Sequence, residues 1–427
     1  QFQTLKAHST SHSFTEAAMS ASTTLSVEGR TWTIHIDTSK KGTLSMTVSS
    51  ERGTWKVEKS QQSLDMMYVR MQEKSAPVPK PPTIQSDSSD CAQSICDWLK
   101  ICAERGSQLA STPVAPFLVL RLDQEVAKLR ESEDWMETGV IKLSHSSLSN
   151  SPASLPSCMY RSLSDEPAWA SLLLIHGYSD SGRRTRFQEL AYFFCKRGIH
   201  VFTLDLPGHG ESSGVRGYVE SKDALIAAGE AGVDELKKKL PHLPLFVYGI
   251  SMGGAIAVNV GMSKKDIIAG VLLSSPMLAV SEKQVPILRK LAFIGAYLAP
   301  RLRLIALPRG AGCTDDYYND LYLFDSLCYV GKVYNRTGYE MLRLAESTSS
   351  LLSSVSFPFF VSHGGADELT SPTKSEELYS VAVTPENKKR IVIHPGLLHN
   401  PFDEPGCFDR VMSPFVTYMK DMVDGPE

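Results

Sequence analysis

The chain has 427 residues, of which 42% are hydrophobic, 8% aromatic and 21% charged, a profile of folded globular domains that excludes a disordered or low-complexity protein. Its 44 Lys+Arg against 47 Asp+Glu leave a formal net charge of -3, too weak a field to hold nucleic acid or another polyanion. Eight cysteines in so long a chain exclude a disulfide scaffold, and Cys91, Cys96 and Cys102 lack the spacing and the nearby histidine of a zinc site.

In chain order, residues 1–22 are rich in Ser, Thr and His without periodicity and read as a loose end. The runs Leu25–Asp37, Gly42–Val48, Thr54–Val57 and Met66–Met71 alternate apolar with polar residues between turn formers, which predicts a small β-rich module over residues 1–74. Residues 75–90, with Ala76-Pro-Val-Pro-Lys-Pro-Pro82 followed by Ser and Asp, read as a linker. Helical spacing over Cys91–Ala110 and Leu122–Glu133 marks 91–135 as a helical connecting segment. Nothing in residues 1–135 carries a recognisable chemistry, so this extension is expected to serve, if anything, as a docking module for a protein partner.

Residues 136–427 change texture. A leading pair of strands at Val140–Leu143 and Met159–Leu163 precedes Ala170–Ile175, apolar at nearly every position and suited to a strand covered on both faces. A helix over Arg184–Arg197, a strand over His200–Leu204, a helix from Ser221 to Leu240 and a strand over Leu243–Tyr248 follow. Strands at Ile268–Leu273, Phe359–Ser362 and Lys389–Ile393 complete the set. The alternation predicts an α/β fold, with a mostly parallel central sheet, helices on both faces and a helical cap inserted at about 281–355. The longest apolar stretch, Pro286–Ile305, is broken by Arg289, Lys290, Arg301 and Arg303 and falls short of the roughly 20 apolar residues of a spanning helix. The expected location is intracellular, dissolved or at a membrane surface, or within an organelle if a targeting segment preceded Gln1.

Gly249-Ile-Ser-Met-Gly253 lies between a predicted strand and a predicted helix, which is the context of a nucleophile elbow. A sharp turn there exposes the serine, leaves room only for small flanking residues, and sets a helix N-terminus beside a developing oxyanion. A nucleophilic Ser251 needs a base and an acid that orients it, in the order Ser, Asp/Glu, His. Asp367 and His399 stand in loops after the next two strands and are the preferred acid and base. His394 is the rival base, Glu368 and Asp403 are rival acids, and His363 is expected to hold its own loop. The backbone N–H groups of Tyr178 and Met252 are the expected oxyanion donors.

Here the sequence resembles the monoacylglycerol lipase and lysophospholipase family of α/β-hydrolases, over about residues 136–422. The likeness rests on His176-Gly-Tyr-Ser-Asp180, Asp205-Leu-Pro-Gly-His-Gly-Glu-Ser-Ser-Gly214, the elbow and Asp325-Ser-Leu-Cys-Tyr-Val-Gly331, with plant-type members nearest at His176-Gly-Tyr and Gly217-Tyr-Val. It implies the same roles for Ser251, Asp367, His399, Tyr178 and Met252, with no metal or cofactor. Ile250 replaces the polar residue common before the serine, and Ser326 stands where the family has Pro. The implied substrate is an ester of a single-chain lipid, a monoacylglycerol or lysophospholipid. Ile250 and the cap residues Leu291, Ile294 and Leu298 are candidates for contact with it, and the cap for peripheral contact with a membrane. Two other functions fit the same residues: a scaffold subunit docked through the extension, and an acyltransferase.

Overall fold

The computed structural model of the chain describes residues 20–27, 30–37, 43–50, 53–60, 63–64, 67, 71, 78, 80–81, 89–106, 135–143, 153–279, 294–308 and 310–425. The chain divides into two compact units, residues 1–114 and 115–427.

In the first unit β1 (Ser20–Val27), β2 (Arg30–Asp37), β3 (Thr43–Ser50) and β4 (Gly53–Ser60) form an antiparallel sheet in sequence order. The two-residue period puts Leu25, Ile34, Ile36, Met46 and Val48 in the core. Helix α1 (Ser89–Gly106) buries Ala92, Ile95, Cys96, Leu99 and Cys102, a stripe at spacings of three and four, and packs on β1. The strand expected at Met66–Met71 is a misreading. The described residues Ser63, Leu64, Met67 and Met71 are helical, and Leu64, Met67 and Met71 are buried at a helical spacing. The helix expected over Leu122–Glu133 lies outside the described residues.

The second unit carries an eight-stranded sheet. Its elements are β5 (Met136–Leu143), β6 (Ala153–Tyr160), β7 (Ala170–Ile175), α2 (Thr185–Cys195), β8 (Ile199–Leu204), α3 (Lys222–Lys239), β9 (Leu245–Ile250), α4 (Met252–Ser263) and β10 (Ile268–Ser274). The cap insertion contributes β11 (Arg303–Ile305), α5 (Asp316–Phe324), β12 (Val333–Tyr334) and α6 (Asn335–Ser349). The sheet then resumes with β13 (Phe359–Gly364), α7 (Pro372–Val381), β14 (Lys389–His394) and α8 (Phe408–Asp424). Strand order is β14-β13-β10-β9-β7-β8-β6-β5, parallel from β14 to β8 and antiparallel through β6 and β5.

Alternation along β9 shows how both faces are covered. Leu245 and Val247 join Leu225, Leu236 and Ile256 of α3 and α4 in one core. Tyr248 points the other way, with its ring 6.0 Å from Phe194 of α2 and 5.0 Å from Phe415 of α8. The expected α/β architecture is therefore the observed one, with the small β module ahead of it. No helix among the described residues is long and apolar enough to cross a membrane.

Candidate active site

Ser251 sits between β9 and α4 with φ 55° and ψ −117°, a conformation an L-residue adopts only when its surroundings impose it. They do so here. A Cβ on Gly249 would overlap the Gly253 carbonyl, and one on Gly253 would overlap the carbonyl oxygens of Ile175 and His176, so the turn closes only with glycine at both places. The Ser251 N–H donates to the Ser274 carbonyl at 3.1 Å, and its own carbonyl accepts from Met277 at 2.8 Å and Gly254 at 2.9 Å. These bonds hold the residue over the carboxyl edge of the sheet. Met252 opens α4, so its N–H belongs to the first turn, whose donors have no partner within the helix.

Gly177 follows β7 and lies against this serine: a Cβ placed on it would stand 3.3 Å from the Ser251 Cβ and 3.9 Å from Oγ. The hydroxyl of the next residue, Tyr178, donates to the Gly217 carbonyl at 3.0 Å. Two sets of bonds fix the loop. Asp205 Oδ1 accepts from Ser181 Oγ at 2.7 Å and from the Gly182 N–H at 3.0 Å, while its Oδ2 accepts from the Glu211 N–H at 3.0 Å. On the cap side the Tyr329 N–H donates to the Ser179 carbonyl at 2.8 Å, and Ser179 Oγ shares a hydrogen with the Tyr322 hydroxyl. The Asp205–Gly214 motif thus shapes the loop after β7, a role that its sequence did not disclose.

Asp367 and His399 meet. His399 Nδ1 lies 2.7 Å from Asp367 Oδ2. An ionised carboxylate only accepts, so Nδ1 carries the hydrogen and Nε2 is left with a free lone pair. The same carboxylate receives four more hydrogen bonds: from the N–H groups of Leu369 (2.7 Å) and Thr370 (3.1 Å) on Oδ1, and from Thr370 Oγ1 (2.7 Å) and His363 Nε2 (3.0 Å) on Oδ2. Burial by itself would raise the Asp367 pKa, but the charge of His399 and the bonds from His363, His399 and Thr370 outweigh it and hold the carboxyl well below its usual range. The loops bearing the two residues are joined by the Gly365 N–H to the His394 carbonyl at 2.7 Å and the Ala366 N–H to the Leu397 carbonyl at 2.9 Å.

The rivals are occupied elsewhere. His394 Nε2 pairs with Ser362 Oγ at 2.9 Å, and Asp403 Oδ1 pairs with buried Arg186 at 2.6 Å. His363 bridges Ser375 Oγ at 2.8 Å to Asp367, which fastens its own loop as expected. Thr370 was missed, although an Asp followed two and three residues on by its own N–H donors is the signature of an Asx turn. Among the candidate substrate contacts, Ile250 is buried at the end of β9 and Leu291 lies outside the described residues. Ile294 and Leu298 are 52% and 75% exposed, and Ala296 between them is the buried side of that helical turn.

Ser251 on a strained turn and the hydrogen-bonded pair Asp367 and His399, all at the carboxyl edge of the sheet, are the residue types and the chain order that acyl transfer requires. Residues 166–406, more than half of the chain, match the family model described as serine aminopeptidase, S33 (Hydrolase_4). The chain is 28% identical over 237 residues to caffeoylshikimate esterase of Arabidopsis thaliana, covering 54% of this chain and 70% of that protein. It is 26% identical over 231 residues to human monoglyceride lipase, covering 54% and 75%, and 31% identical over 247 residues to phospholipase YtpA of Bacillus subtilis, covering 56% and 91%. The crystal structure of Paleococcus ferrophilus monoacylglycerol lipase superposes with a TM-score of 0.55 at 23% identity, over 63% of this chain and 99% of that one, which speaks for the fold.

Proposed function

The chain belongs to the serine aminopeptidase S33 family as an α/β-hydrolase of the monoglyceride lipase type, a lipase or esterase, and from this premise we propose that it is a serine esterase acting on single-chain lipid esters. The observation that carries the reading is the 2.7 Å bond between His399 and Asp367 at the sheet edge that presents strained Ser251. In this mechanism His399 Nε2 takes the Ser251 hydroxyl proton as Oγ attacks the ester carbonyl. The N–H groups of Met252 and Tyr178 receive the charge that forms on the carbonyl oxygen. Collapse expels the alcohol, which regains the proton from His399 and leaves an acyl-Ser251 ester. Water, deprotonated by the same imidazole, then releases the fatty acid. Asp367 keeps Nδ1 protonated throughout and stabilises the imidazolium.

The substrate class is supported by the relatives named as monoglyceride lipase and phospholipase, which share the ester of a fatty acid with this reading. The cap adds a physical argument: Ile294, Tyr297, Leu298, Leu302 and Ile305 are exposed apolar side chains beside Arg301 and Arg303, a composition suited to meeting a lipid surface. A fluorophosphonate probe should label the protein at Ser251, and Ser251→Ala should lose both labelling and hydrolysis of a long-chain monoacylglycerol, about 10⁴-fold or more. Labelling at another serine, or a fully active Ser251→Ala, would sink the assignment. Preference for short aryl esters over the lipid would remove the substrate class and leave the chemistry.

A further inference from the structure

The loop that carries His399 is tied to the cap through the N–H groups of the residues on either side of it, Asn400 directly and Leu398 by way of Glu404. The Asn400 N–H donates to the Gly312 carbonyl at 2.6 Å. On the other side the Leu398 N–H donates to Glu404 Oε1 at 3.3 Å, while Glu404 Oε2 accepts from the Thr314 N–H at 3.0 Å and from the Thr314 hydroxyl. Glu404 is 5% exposed, so each carboxylate oxygen is a buried acceptor whose donors decide its place. Downstream, Arg186 anchors the same loop to α2 through Asp403 Oδ1 at 2.6 Å and the Phe402 carbonyl at 3.3 Å. The residues on either side of His399 are therefore keyed to one short stretch of the cap, Gly312–Thr314, and Glu404 is the side chain that spans the gap.

The geometry points to Glu404 as a positioning residue that holds His399 in register by fastening the base loop to the cap. It touches neither substrate nor the reacting atoms. Its effect passes through the Leu398 peptide, and an error of about 1 Å in a reacting group can cost on the order of 10²-fold in rate. Only a carboxylate serves, because donors arrive at both of its oxygens. The amide of glutamine nearly matches its shape but turns two hydrogens toward either Leu398 or Thr314, which also donate.

The inference rests on His399 being the base, so the test keeps the two apart. In the full chain, steady-state hydrolysis of a monoacylglycerol and fluorophosphonate labelling of Ser251 are compared for wild type, His399→Ala, Glu404→Gln, Thr314→Val and the Glu404→Gln/Thr314→Val pair. Glu404→Gln is expected to lower kcat and the labelling rate together by about 10- to 100-fold with KM within about twofold, because the base moves and the acyl site does not. Thr314→Val, at an exposed position, should lower kcat by a smaller factor and add little to Glu404→Gln, since both break one link. An unchanged kcat in Glu404→Gln, a loss that appears in KM, or fully additive losses would overturn the positioning role. Should Glu404→Gln fail to fold, an unchanged kcat in Thr314→Val overturns it alone. A fully active His399→Ala would instead remove the base assignment beneath it.

Discussion

At Asp367 five hydrogen bonds converge on one carboxylate, and their first consequence concerns tautomers rather than charge. Asp367→Asn keeps the shape but presents an amide to His399, so the imidazole turns its lone pair inward and loses its free Nε2. The expected result is a folded protein with kcat lowered by about 10⁴-fold, read from lipid ester hydrolysis at saturation. Because the folded carboxyl titrates below its unfolded value of about 3.9, its stabilisation is present above that pH and is lost only as acid carries the pH through and below it. His209 behaves differently. Burial, helped by neighbouring His176, pushes its pKa down to about 3. The unfolded chain binds the proton near pH 6.5 and the folded chain does not, so on its account stability should fall as the pH drops from about 6.5 toward 3. Urea unfolding of His209→Gln at pH 5 and 7 should show a loss between the two smaller by about 2 kcal/mol than in wild type. The sharp turn at Ser251 and the meeting of Asp367 with His399 were legible because chain order and strand ends place them. Thr370 had only the Asx-turn spacing after Asp367 to mark it, and Glu404 had no local mark, since its role depends on which loops lie side by side.

At the scale of elements, the elbow depends on β7 as much as on β9. A Cβ at Gly253 meets the backbone oxygens of Ile175 and His176, so Gly253→Ala must push α4 away from the very strand end that supplies Gly177 and Tyr178. We expect destabilisation of about 1–3 kcal/mol by chemical unfolding, with a loss of kcat larger than the unfolded fraction explains. Most strands of the sheet were readable because each is either largely apolar, as β7, or bounded by turn formers, but the strand expected at Met159–Leu163 lies earlier, at Ala153–Tyr160. The stretch 63–71 was misread because Leu64, Met67 and Met71 fit a helical spacing while their neighbours also permit alternation. In the cap, Ile294 and Leu298 were read as candidate substrate contacts; both are exposed, while Ala296 between them is buried.

For the whole molecule, the division into residues 1–114 and 115–427 separates the chemistry from the β module. The fragment 115–427 should fold alone and retain fluorophosphonate labelling at a rate within about threefold of the full chain, as expected of a unit with its own core. An insoluble or unlabelled fragment would instead make the first unit part of the enzyme. The strand order adds a matter of timing. β14 is both the outermost strand of the parallel series and the one that leads to His399, so it is added to a sheet whose other strands already precede it in the chain. During synthesis the elbow, its serine and the loop after β7 emerge long before their base does. On the proposed assignment a half-made chain holds Ser251 without His399, so the growing polypeptide should hydrolyse no ester until its last strand docks.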